Sequence, residues 1–297
     1  MHLPPLFKFM DLRGVKLTLA NGTFRHAKPS DFNDTEDLTI QSVLPGNLDD
    51  ALAELENSFV DVIIKHLDEP PTCDSPMREK LTLLQQALKL NREAEKVLRE
   101  GLAETPVYDR DFMRIRTEGH IQEINDFMQG YRIFCVTTHN RSERMWTEYA
   151  DNHRGIMIRI VPCHSRDSKF NLFCPVQYQD VRPPLYNNAV DFIAGSLFGD
   201  RPAIISAIIE KIIYTKTRQW EHEAEYRLAI PLAQGEKPWE FLSYHPEEIT
   251  ELYLGTAMDE EDKGEIVGLA KARNPKIIAY GSNCDGHDNI SYYPFES

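Results

Sequence analysis

Two carboxylates and a guanidinium recur at every second position in Glu223-Ala224-Glu225-Tyr226-Arg227. Tyr226, Leu228 and Ile230 alternate with them, which predicts a half-buried strand over 220–232 with the charged groups on one face. Three charges leave water only if they pair or line a cleft. A Glu-x-Glu on a strand can serve a reaction that builds positive charge on a sugar. One carboxylate faces the oxocarbenium-like centre while its neighbour orients the nucleophile. Hydrolysis or transfer of ADP-ribose from NAD is such a reaction. The competing outcome is structural, with Glu225 held in an ion pair by Arg227 and no chemistry attached.

NAD would also need cations for its pyrophosphate and an aromatic for a ring. Lys8 and Arg25 are the candidate cations, Trp146 and Tyr149 the candidate rings. The two aromatics are three residues apart and share a helix face, so core packing under the sheet is the favoured account of them. In the polar loop 28–37, Asp31, Asn33 and Asp34 serve either as turn formers or as a functional loop. Cys284, Asp285, His287 and Asp288 have ligand chemistry but fall at an Asp-Gly turn of a predicted hairpin, so no metal is predicted. The chain contains no phosphate-binding loop, no Gly-x-Gly-x-x-Gly, no His-Glu-x-x-His and no Gly-x-Ser-x-Gly.

The elements that must position these residues read as α+β: a mixed or antiparallel central sheet with flanking helices. Strands are predicted at 6–9, 23–27, 131–137, 156–161, 170–178 and 249–254, with a terminal hairpin at 277–280 and 290–293. Helical spacing marks 47–67, 75–102 and 109–128, and a short helix follows Ser142 and stops at Gly155. Helices are also expected at 189–198, at 203–214 (apolar enough to be buried) and at 260–273. The body is therefore assigned to 1–46 and 129–297 with a helical insertion at 47–128, a separate cap domain being the alternative.

The 297 residues, 41% of them hydrophobic, suffice for a sizeable core. A formal charge of −14 disfavours non-specific capture by nucleic acid or anionic membrane. No apolar run reaches membrane-spanning length, and residues 1–10 lack a signal-peptide layout, so the expected compartment is the cytoplasm. Five cysteines without a Cys-x-x-Cys pair indicate reduced thiols.

Four segments taken together carry a resemblance. They are Leu6-Phe7-Lys8-Phe9, then Asn21-Gly22-Thr23-Phe24 through Pro29-Ser30-Asp31-Phe32-Asn33-Asp34, then Met145-Trp146-Thr147-Glu148-Tyr149-Ala150, and Trp220 to Arg227. Their order resembles the bacterial family catalogued as domain of unknown function 2971. More distantly it resembles ADP-ribosyltransferases that modify nucleic acids or proteins, which often belong to toxin or phage-defence systems. The resemblance implies NAD as substrate and a nucleic-acid or protein acceptor. Glu225 would stabilise developing charge and Glu223 orient the acceptor. Lys8 and Arg25 would hold phosphates, with Asn33 and Asp34 shaping the pocket floor, Trp146 or Tyr149 stacking on a ring, and Arg227 completing the site. The alternatives are a non-enzymatic binding or regulatory module with Glu225 and Arg227 as a buried ion pair, and a nucleotide hydrolase that does not use NAD.

Overall fold

The computed structural model describes residues 3–91, 93–104, 110–232, 238–285 and 289–296. The chain opens with β1 (Leu6–Met10), α1 (Leu12–Asn21) and β2 (Thr23–Ala27). Helix α1 is not among the elements expected from the sequence, yet its caps are explicit. The Asp11 carboxylate accepts from the Gly14 amide, and Gly22 ends the helix in the left-handed region at φ 67°. Val15, Thr18 and Leu19 give it one buried face.

Helices α2 (Leu48–Lys65), α3 (Met77–Leu90), α4 (Glu93–Glu104) and α5 (Arg110–Met128) follow. The expected single helix 75–102 is broken at Asn91, whose backbone is extended. Then come β3 (Tyr131–Thr137), α6 (Glu143–Tyr149), β4 (Ile156–Ile160), β5 (Cys174–Pro175), β6 (Gln177–Gln179), α7 (Ala189–Phe198) and α8 (Arg201–Ile213). The expected strand 170–178 opens instead as a 3-10 turn over Lys169–Leu172 and is extended only in the short strands β5 and β6 after it. Helix α8 was expected to be buried, but only Ile212 and Ile213 are, and Ile205 is half exposed. The chain closes with β7 (Thr215–Thr217), β8 (Glu225–Pro231), β9 (Trp239–Ser243), β10 (Ile249–Leu254), α9 (Glu260–Arg273), β11 (Ile278–Cys284) and β12 (Ile290–Pro294). Strands β11 and β12 form the expected antiparallel hairpin. Gly286, His287 and Asp288, where the sequence predicts a turn, and Asp109, the expected start of the helix 109–128, lie outside the described residues.

Contacts divide the chain into two compact units. The α+β unit comprises 1–35, 129–180 and 216–297. The helical unit comprises 36–128 and 181–215, so it is larger than the expected insertion 47–128. It starts earlier, and it recruits α7 and α8 from later in the chain. The reason is apolar coverage: α2 buries Leu52, Leu55, Phe59 and Ile63, and α7 packs on it with Ala189, Ile193 and Leu197. Among the described residues no helix is long and apolar enough to cross a membrane.

The α+β unit is built on a ten-stranded mixed sheet, ordered β12-β11-β10-β4-β1-β3-β2-β9, with β8 on β3 and β5 on β8. Pairing is antiparallel except between β10 and β11, which α9 connects. One core contains Phe24, Phe134, Ile158, Leu228, Leu252 and Val267. A second joins Phe7, Phe9, Met157 and Tyr253 to Trp146.

Candidate active site

The sheet is split. Strand β3 pairs with β8 along seven residues, but meets β1 only through Phe7 and Thr137 and meets β2 only through Ala27 and Ile133. Strands β1 and β2 therefore diverge from β3, and α1 bridges them. A cleft of about 830 Å³ occupies the opening. Its lining includes Gly14, Leu17, Thr18 and Asn21, the i, i+3, i+4, i+7 face of α1. It also includes β1, β2 and the loop residues Phe32 and Asn33.

Glu223, Glu225, Lys216 and Tyr149 also line this cleft. Glu223 was expected on the strand with Glu225; instead it ends a 3-10 helix (Arg218–Glu223), and β8 begins only at Glu225. Between them Ala224 adopts φ 41°, a left-handed turn that breaks the alternation and brings both carboxylates toward one cation. The Lys216 ammonium donates to Glu223 Oε2 at 2.5 Å and to Glu225 Oε2 at 3.5 Å, and sits 4.7 Å from the Trp220 ring centre. The Tyr149 hydroxyl donates to Glu223 Oε1, and the Thr137 hydroxyl to the Glu223 carbonyl at 2.6 Å.

Arg227 lies behind Glu225. Its Nε and Nη2 donate to Oε1 and Oε2 at 3.0 and 2.9 Å, a two-point grip on a carboxylate that is 6% exposed. The Cys135 thiol also bonds to Glu225. Burial alone would raise the Glu225 pKa, but the charges of Arg227 and Lys216 outweigh it and hold the carboxyl well below its ordinary range. Burial, reinforced by the charge of Glu223, raises Tyr149, so its phenol stays protonated and donates. Two carboxylates, an ammonium and a guanidinium thus form a near-neutral buried network at the end of an open cleft.

Lys8 projects into the split, its ammonium 5.2 Å from the Phe134 ring centre. Arg25 lines the cleft beside Trp239, 5.1 Å from that ring centre, and Asn33 bonds to Tyr149. The cleft thus brings together Lys8, Arg25, Asn33, Tyr149, Glu223 and Glu225. Three sequence candidates do not line it. Trp146 is fully buried, edge-on to Phe9 and stacked with His153, because its helix face turns into the core. Asp34 sits in the loop but outside the cleft, and Arg227 reaches the site only through Glu225.

The structure adds groups that spacing did not indicate. Lys216 precedes Glu223 by seven residues on a separate strand, a relation no local period encodes. The Thr-Lys-Thr alternation of β7 was the one available signal. Arg13, Trp239 and Phe241 stand at the cleft, with Trp239 39% and Phe241 53% exposed. No protein-family model, curated protein or solved structure matches the chain.

Proposed function

We propose that the cleft binds NAD and that the chain is an ADP-ribosyltransferase-like enzyme, or an NAD glycohydrolase when water is the acceptor. The observation that carries this reading is the pairing of Glu223 and Glu225 at the end of a cleft that also presents Lys8, Arg13 and Arg25 with Trp239 and Phe241. Cations and aromatics suit an anionic dinucleotide, and fixed carboxylates suit a sugar that becomes positively charged.

In this reading the bond from the ribose C1′ to nicotinamide breaks with its electrons leaving on nicotinamide. The ionised Glu225 faces the resulting oxocarbenium centre. Glu223, oriented by Tyr149 and Lys216, accepts the hydrogen bond of the incoming hydroxyl or amine and takes its proton as the new bond forms. The acceptor is a nucleic acid or a protein. The resemblance to the family of domain of unknown function 2971 supports the reading through the four sequence segments alone.

A second reading is favoured by one observation: both Glu225 oxygens are already engaged by Arg227 and Lys216. In a binding or regulatory module this network would be structural.

Nicotinamide release from NAD by wild type, Glu225→Gln and Glu223→Gln, with DNA, RNA or lysate protein as acceptor, separates the two. Glutamine is the informative change, since Glu225→Ala strands a buried Arg227 and destabilises by about 3–5 kcal/mol. Release by wild type, falling at least 100-fold in Glu225→Gln, supports the enzyme. No release by wild type, with NAD leaving the melting temperature unchanged, sinks it in favour of the module.

A further inference from the structure

Three side chains of metal-ligating type converge outside the cleft lining. Glu143 opens α6, His153 lies in the turn after that helix, and Cys284 ends β11. One carboxylate oxygen, one imidazole nitrogen and the thiol sulfur all lie within 4.8 Å of one another, the one such grouping among the described residues. A tetrahedral zinc with bonds of about 2.0–2.3 Å spaces its ligand atoms roughly 3.5 Å apart, so closing the set asks for about an ångström of side-chain adjustment.

The backbone that delivers His153 is a second observation. Asp151, Asn152 and His153 adopt φ of 49°, 52° and 64°, three consecutive non-glycine residues in the left-handed region. Each costs on the order of 1 kcal/mol or more, and such strain collects where a side chain must be presented in a fixed place. The turn is tied down from both sides. The His153 amide donates to the Trp146 carbonyl at 3.3 Å, and its own carbonyl accepts from the Ala257 amide at 3.0 Å. At Gly255 a Cβ would come within 2.0 Å of the His153 oxygen, so the approach requires glycine there. The imidazole plane is set by stacking on the buried Trp146, at 5.7 Å and 6°.

We propose that Glu143, His153 and Cys284 bind a zinc ion, with water in the remaining position. A thiolate, an imidazole and one carboxylate select zinc over magnesium or calcium, which want oxygen ligands. On binding, the Cys284 thiol loses its proton to solvent, and the thiolate and carboxylate balance the two positive charges. The ion would clamp the start of α6 to the end of β11. The last residue of α6 is Tyr149, which bonds Glu223, so the site steadies the cleft from outside. It rests on none of the NAD reading.

The test is metal binding by the full chain after chelation and dialysis. Wild type is expected to take up one equivalent of Zn2+ with a rise in melting temperature, and to show a near-ultraviolet thiolate-to-metal band with Co2+. Cys284→Ser should abolish the band, His153→Ala should weaken zinc binding on the order of tenfold or more, and Cys174→Ser, at an exposed thiol, should change neither. Absence of a stoichiometric zinc or of the cobalt band in folded wild type overturns the proposal without recourse to a variant. Survival of the band in Cys284→Ser overturns it as well.

Discussion

At the end of the cleft, buried charge comes as a matched set. Glu223 and Glu225 face Lys216 and Arg227 with every one of the four at least 94% buried, an arrangement that tolerates loss of neither sign. His26 is different: it is fully buried, stacked on Phe134 at 4.8 Å, and neither ring nitrogen finds a hydrogen bond among the described residues. Burial, with the charges of Lys8 and Lys169 nearby, lowers its pKa to about 3. The unfolded chain then binds a proton below about pH 6.5 that the folded chain refuses. Stability from this group is complete above pH 6.5 and falls by about 1.4 kcal/mol for each pH unit below it. Urea unfolding at pH 7.5 and pH 5.5 should show that decrement in wild type and a smaller one in His26→Leu. Equal decrements in the two proteins would show that His26 is already charged when folded. The Glu225 carboxyl, held low, adds a loss of its own only when the pH falls below the ordinary carboxylate range.

At the scale of elements, α1 is the wall of the cleft and its ends are its weak points. Gly22 holds φ 67°, and a Cβ there would meet the Arg273 guanidinium at 2.5 Å. That guanidinium donates to the Leu19 and Ala20 carbonyls at the end of α1. Gly22→Ala should cost about 1–3 kcal/mol through the left-handed strain and the displaced arginine, read as a lower denaturant midpoint. A midpoint equal to wild type would mean the cap relaxes freely. Much of this scale was legible in advance. β1, β2, β3, β10 and helix α2 fall where their residue patterns predict them. What was not legible is where a period changes meaning within a few residues. Glu223, Glu225 and Arg227 obey a perfect alternation, yet one left-handed residue, Ala224, takes Glu223 off the strand. Trp146 and Tyr149 share a helix face by spacing, yet one is core and the other reaches the cleft. Lys216 shows in the sequence only as the middle of Thr-Lys-Thr, because its partners are fixed by tertiary folding.

At the scale of the molecule, neither unit is a contiguous stretch, since the chain passes between them at 35/36, 128/129, 180/181 and 215/216. The helical region is legible in the sequence only as an insertion at 47–128, because nothing in 181–215 announces that α7 covers α2. A fragment spanning 47–128 would carry α2 without that cover. Expressed alone, it should show little cooperative thermal unfolding by circular dichroism and should aggregate. A cooperative transition would mean that α2 through α5 bury enough apolar surface by themselves.

The split between β1, β2 and β3 has a consequence for how the cleft is probed. Where strands part, the peptide groups on the free edge of β3 between Ile133 and Thr137 face the opening instead of a neighbouring strand. A ligand lodged there can be gripped by the main chain itself. Alanine scanning leaves the main chain untouched, so side-chain replacement will understate what the cleft holds. Replacing single amides with esters along β3 would reveal it.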